Sequence, residues 1–121
     1  MSQGRAWLVD LGTLDGSASA NSSKIESQYA TAFTVQAVVT GSNAPVATLQ
    51  VQASNDVPSS ITMPFTLTNW FDVTGASLAI NADGVYGSPL TEIAYRFIRF
   101  ALTVAGGDAG DVAITVQMQG R

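Results

Sequence analysis

The chain has 121 residues, 46% of them hydrophobic and only 12% charged, with five bases against nine acids for a net charge of −4. Such a balance belongs to one folded domain rather than a disordered polymer. The bases (Arg5, Lys24, Arg96, Arg99, Arg121) are scattered, which excludes the cation cluster that nucleic acid or an anionic membrane would need.

The opening stretch MSQGRAWLVDLG has no signal-peptide core, and no apolar run approaches the ~20 residues of a membrane span. Synthesis and maturation in the host cytoplasm are expected. AWLV reads as a short first strand, and LDGSASANSSKIESQ as a Ser-rich loop or flexible linker. Residues 1–28 are therefore expected to form an N-terminal arm, with a first strand and a polar loop, ahead of a β-sandwich domain at 29–121.

Period-two alternation dominates the chain from about residue 30 onward. TAFTVQAVVT puts Phe33, Val35, Ala37 and Val39 on one face and Thr34, Gln36 and Thr40 on the other. VATLQVQAS turns Ala47, Leu49, Val51 and Ala53 inward. FTLT, WFDV, SLAIN and VYG are shorter candidates. AYRFIRFALTV directs Ile98, Phe100, Leu102 and Val104 inward, and DVAITVQMQ does the same with Val112, Ile114, Val116 and Met118. TGSNAPV and AGGDAGD have hairpin length and composition, so each is expected to join two paired strands. PLTEIAYR allows one turn of helix, with Pro89 and Thr91 at its start. About eight or nine short antiparallel strands with turns between them predict an all-β fold, a single β-sandwich of jelly-roll type.

Little catalytic equipment is present. With no Cys and no His, disulfides, thiolate metal sites and every Ser-His or Cys-His arrangement are excluded. The single lysine, Lys24, lies in the polar arm, away from the burial that would activate it. Most of the nine acids fall in or beside turns, where Asp bonds its own backbone. For a hard cation the best oxygen cluster is GGDAGD, with Asp108 and Asp111, but the spacing of a calcium loop is missing. No enzyme activity and no cofactor are expected. Trp7, Trp70 and Tyr86 are candidate platforms for stacking on a sugar. At least one of Arg96 and Arg99 is expected to meet an acid, with Asp72 or Glu92 as partner, rather than to serve a ligand.

The outward strand positions are unusual. Thr34, Gln36, Thr48, Gln50, Gln52, Thr115, Gln117 and Gln119 carry amides and hydroxyls where a lone soluble domain normally mixes charges. Interface cores are depleted of Lys, Glu and Asp. Self-association or docking is the expected use of these faces, with Trp7, Leu8, Gln50, Gln52, Gln117 and Gln119 as contact residues.

The combination FTVQAVVTGSNAPVATLQVQASND, NWFDV and YRFIRFALTVAGGDAGDVAITVQMQGR resembles small β-sandwich virion proteins of bacteriophages, most of all head decoration (cement) proteins. The likeness covers residues 32–121 and consists of strand ends, so no site residue carries over. It implies a non-enzymatic structural protein on the outer capsid surface of the virion. It also implies a homo-oligomer, a trimer, with the major capsid protein as partner and the arm serving shell contact. Two alternatives stand beside it. One is another virion part (a tail or baseplate accessory protein or a capsid subunit), and the other is a carbohydrate-binding module.

Overall fold

Each long alternating run forms a strand with its apolar side turned to a shared interior. A computed structural model of the chain describes residues 5–27, 30–56, 67–88 and 91–120. The strands are β1 (Arg5–Asp15), β2 (Ala20–Asn21), β3 (Ile25–Glu26), β4 (Ala30–Thr40), β5 (Asn43–Ser54), β6 (Phe71–Ile80), β7 (Gly84–Gly87), β8 (Thr91–Glu92), β9 (Phe97–Asp108) and β10 (Asp111–Gly120). Sheet A runs β1-β10-β4-β7 with β8 also on β4, and sheet B runs β2-β9-β5-β6 with β3 also on β9. The short pairs β2/β3 and β7/β8 each fill one edge position, so each sheet is four strands wide. In chain order the positions read 1-8-3-6 and 2-7-4-5, which is jelly-roll topology. The expected all-β jelly-roll sandwich is the fold of this chain.

The interior is built as the alternation predicts. Phe33, Val35, Ala37 and Val39 of β4 face Ala47, Leu49, Val51 and Ala53 of β5, and all are buried. Phe33 of sheet A meets Phe100 of sheet B edge to face, with centroids 6.4 Å apart, tying the sheets together near the centre.

The connections differ from expectation. TGSNAPV joins β4 in sheet A to β5 in sheet B, and AGGDAGD joins β9 in sheet B to β10 in sheet A. Both are corners between sheets, not hairpins. A short glycine-rich turn spans the ~10 Å between packed sheets as readily as the ~5 Å between paired strands, so loop length does not choose between them. At one corner Gly107 adopts φ +66°, and a Cβ there would overlap the Ala44 carbonyl oxygen.

WFDV and SLAIN, expected as two strands, are one strand, β6. A bulge at Gly75, φ +80°, shifts its register on β5 between Gln50 and Gln52. The helical turn at PLTEIAYR does not form over the described residues there, since Thr91–Glu92 is a strand paired with Ala32 and Phe33. The first half of FTLT and Pro89 lie outside the described residues, and the other half, Leu67 and Thr68, is not strand.

The segment expected as an arm is woven into both sheets. β1 pairs along its length with β10, from Arg5 opposite Gly120 to Asp15 opposite Asp111. Trp7, Val9, Leu11 and Leu14 pack against the core. The serines that resemble a linker are stitched to β9 and its approach. Phe100 N donates to Ser22 Oγ at 2.9 Å, Val104 N to Ser19 Oγ at 2.9 Å, and Ser27 Oγ donates to the Tyr95 carbonyl at 2.7 Å. Side-chain hydroxyls thus stand in for ladder bonds that a short, irregular edge cannot make.

Candidate interaction surface

Antiparallel pairing sets residues of one face directly opposite each other, so the registers define the outer face of sheet A row by row. Its three middle rows are Leu8, Gln117 and Thr34; Asp10, Thr115, Gln36 and Gly87; and Thr13, Ala113, Val38 and Val85. The flanking rows carry acids, Glu92 beside Ala6, Gln119 and Ala32 at one end and Asp15 and Asp111 beside Thr40 at the other. In the middle rows Asp10 alone is ionisable, and its carboxylate accepts the Gly12 N–H at 2.8 Å, inside the β1 bulge. Leu8 and Val85 stand proud at 65% and 69% exposure. Beside Leu8 a depression of about 350 Å³ is lined by Leu8, Thr34, Val35, Gln36, Gly87, Ser88, Thr115 and Gln117. Glycine at position 87 leaves the floor low where a side chain would otherwise rise.

The outer face of sheet B is different, because its polar groups are already engaged. The Gln50 amide donates to the carbonyls of Val73 at 2.9 Å and Ala76 at 3.1 Å, either side of Gly75. It therefore satisfies acceptors that the bulge takes out of the ladder. Gln52 accepts from Arg99 Nε at 2.9 Å and donates to Asp72 at 3.0 Å. Arg99 lies over the Trp70 ring, and burial lowers its pKa from the ordinary arginine value. Arg99 thus reaches Asp72 through an amide rather than by a direct ion pair.

The six expected contact residues divide accordingly. Leu8 and Gln117 are neighbours on the neutral face of sheet A, and Gln119, one row away, lines a second depression of about 530 Å³ with Glu92, Ile93 and Tyr95. Trp7 points inward against the core. Gln50 and Gln52 sit on the opposite sheet and bond internally. Val85, Gly87 and Ser88 join the face through β7, whose pairing with β4 is distant in sequence. Nothing local in VYGS announces it.

The other candidates have settled structural surroundings. The Tyr86 hydroxyl donates to the Ala82 carbonyl at 2.7 Å, closing the turn before β7. Trp70 Nε1 donates to the Leu67 carbonyl at 3.2 Å. Asp108 accepts from Gly110 N at 2.7 Å, and Asp111 lies opposite Asp15. Among the described residues no three acids converge on one point. Three aspartates are held below the ordinary carboxylate pKa. The cause is chiefly the Ser17 backbone N–H for Asp15, the Asn69 side chain for Asp56 and the Ser42 hydroxyl for Asp83. Groups kept ionised in this way suit loop anchoring, whereas a general acid needs the opposite shift.

No family model matches the chain, and no curated protein matches it. Among solved structures it is similar to the crystal structure of the SPBc2 prophage-derived protein YomS, with TM-score 0.62 and 11% identity over 98% of this chain and 96% of that one. At that identity the likeness is one of fold: the whole sandwich, including β1, has a counterpart.

Proposed function

We propose that this chain is a non-enzymatic structural protein of a bacteriophage particle, and within that class a head decoration protein. It docks on the major capsid protein through the outer face of sheet A. The observation that carries the reading is the middle of that face, where Asp10 is the one ionisable group across three rows and a 350 Å³ depression lies beside the exposed Leu8. Neutral amides and hydroxyls pair across an interface without the desolvation cost of ions. The fold likeness to a prophage-derived protein and the strand-end resemblance to virion proteins support the phage assignment. The acid excess disfavours DNA as a partner. Docking of many copies, each through a modest area, gains strength by multivalency.

A carbohydrate-binding module is the weaker reading. Trp7 packs inward, Trp70 is covered on one face by Arg99, and the Tyr86 hydroxyl is spent on its own turn. Gold labelling of an epitope-tagged chain on particles of the phage that encodes it tests the proposal. Label over the head is expected. Label on the tail would replace decoration with a tail role, and particles free of the chain would remove the virion assignment.

A further inference from the structure

The ionisable side chains of this protein are sorted by face. The outer rows of sheet A hold Glu92 at one end, Asp10 in the middle, and Asp15 with Asp111 at the other end. These are four of the nine acids in the chain. None of the four described bases stands in any of those rows. Arg99 lies on the outer face of sheet B beside Gln52, and Lys24 and Arg96 immediately precede the sheet B strands β3 and β9. Arg5 opens β1 in step with Trp7 and Val9, on the side away from Leu8.

Two details set these acids apart from ordinary solvated charges. Asp15 and Asp111 are directly opposite each other across the β1/β10 ladder, where like charges destabilise a sheet. Glu92 borders the depression of about 530 Å³, whose lining also includes Ala32, Ile93, Ala94 and Tyr95. That surface suits the aliphatic stem of a long basic side chain, with the carboxylate at hand for its head. The two acidic ends lie eight positions apart on β10, from Asp111 to Gln119, a span of about 27 Å.

We infer that the partner of this face is a protein surface with basic side chains at both ends of a neutral centre. One Lys or Arg enters the depression beside Glu92, and another meets the Asp15–Asp111 pair and relieves its opposition. The inference rests on sheet A as the docking surface and adds the chemistry of what it meets. Complementary charges at a rim steer association and fix register, while the neutral rows between them supply contact area.

Co-sedimentation of the full chain with heads of the phage that encodes it, prepared without the chain, tests this across salt concentrations. The screening length falls from about 10 Å at 0.1 M to about 3 Å at 1 M. Over that range binding of the parent is expected to weaken about tenfold. Glu92→Gln and Asp111→Asn are each expected to weaken it about threefold at 0.1 M and to match the parent at 1 M. Asp72→Asn makes the same change of net charge on the outer face of sheet B and is expected to bind like the parent throughout. Asp111→Asn is also expected to raise the urea midpoint, because it removes an opposed like charge. Binding that ignores salt, or that Asp72→Asn weakens as much as Glu92→Gln does, would overturn the inference and leave docking intact. A lowered midpoint for Asp111→Asn would overturn it too, by giving that carboxylate a structural task. No binding by the parent at any salt would remove the docking surface itself, and the inference with it.

Discussion

The guanidinium of Arg99 lies 4.3 Å from the ring centroid of Trp70. Its Nε donates at the same time to Gln52 Oε1 at 2.9 Å, so the cation is held over the indole from two sides. A partly desolvated cation over an aromatic face contributes on the order of 1 kcal/mol, and a hydrogen bond with a charged donor a similar amount or somewhat more. Arg99→Lys keeps the charge but loses the planar group and its directed Nε–H. We expect it to lower unfolding stability by about 1–2 kcal/mol in urea titration, with a red shift of tryptophan emission. An unchanged midpoint and spectrum would mean that the stack contributes nothing in solution.

Gln50 and Gln117 look equivalent in the sequence, since both occupy outward positions of alternating strands, yet opposite responses to substitution are expected. Gln50→Ala strands the Val73 and Ala76 carbonyls at the β6 bulge, at a cost of about 1–3 kcal/mol in stability. Gln117→Lys places a charge on the neutral face of sheet A, where it is exposed, and is expected to change stability by less than about 0.5 kcal/mol. Under the proposed function the second variant fails to bind phage heads in a co-sedimentation assay, while the first binds once folded. Normal binding by Gln117→Lys would move the docking surface away from this face.

The loop carboxylates give the pH dependence a definite sign. Asp56 accepts from Thr68 N, Asn69 N and Asn69 Nδ2, and its pKa lies below that of a free aspartate; Asp15 and Asp83 are shifted the same way. A depressed folded-state pKa adds stability above the unfolded value, about 3.9 for aspartate, and that stability is lost as pH falls through the folded value. Urea midpoints are therefore expected to hold steady down to about pH 5 and then decline toward pH 2. Asp56→Asn should be less stable at neutral pH, and its deficit should shrink in acid. A deficit that is constant across the range would assign the loss to shape rather than to the carboxylate.

How far the fold was legible depended on the distance between cause and consequence along the chain. Phe33, Leu49, Phe100 and Ile114 are inward because each sits in its own alternating run, and a run of ten residues carries that information by itself. The partnership of β4 with β10 and β7, or of β1 with β10, is carried by no local pattern. Corners therefore passed for hairpins, and a sheet-spanning first strand passed for part of an arm. The candidate surface was half legible for the same reason. Alternation marks Gln50 and Gln117 alike as outward, but it does not record that a bulge at Gly75 would claim the Gln50 amide. Nor does it place Val85 beside Val38 and Gly87 beside Gln36.

Ser22 supplies the sharpest test of the Ser-rich segment as part of the sandwich. Its Oγ accepts from Phe100 N at 2.9 Å and its own N donates to the Phe100 carbonyl at 2.8 Å, so this one residue closes both main-chain groups of a fully buried position in β9. Removal of the hydroxyl leaves the Phe100 N–H buried without a partner, which costs about 1–3 kcal/mol. Ser22→Ala is expected to show that loss in urea, together with faster amide exchange at Phe100 and quicker cleavage by a broad-specificity protease within residues 16–24. Ser23→Ala, one residue on with an exposed side chain, is expected to match the parent within about 0.5 kcal/mol. If the two variants behave alike, the segment lies loosely on β9, and the reading of a flexible linker returns.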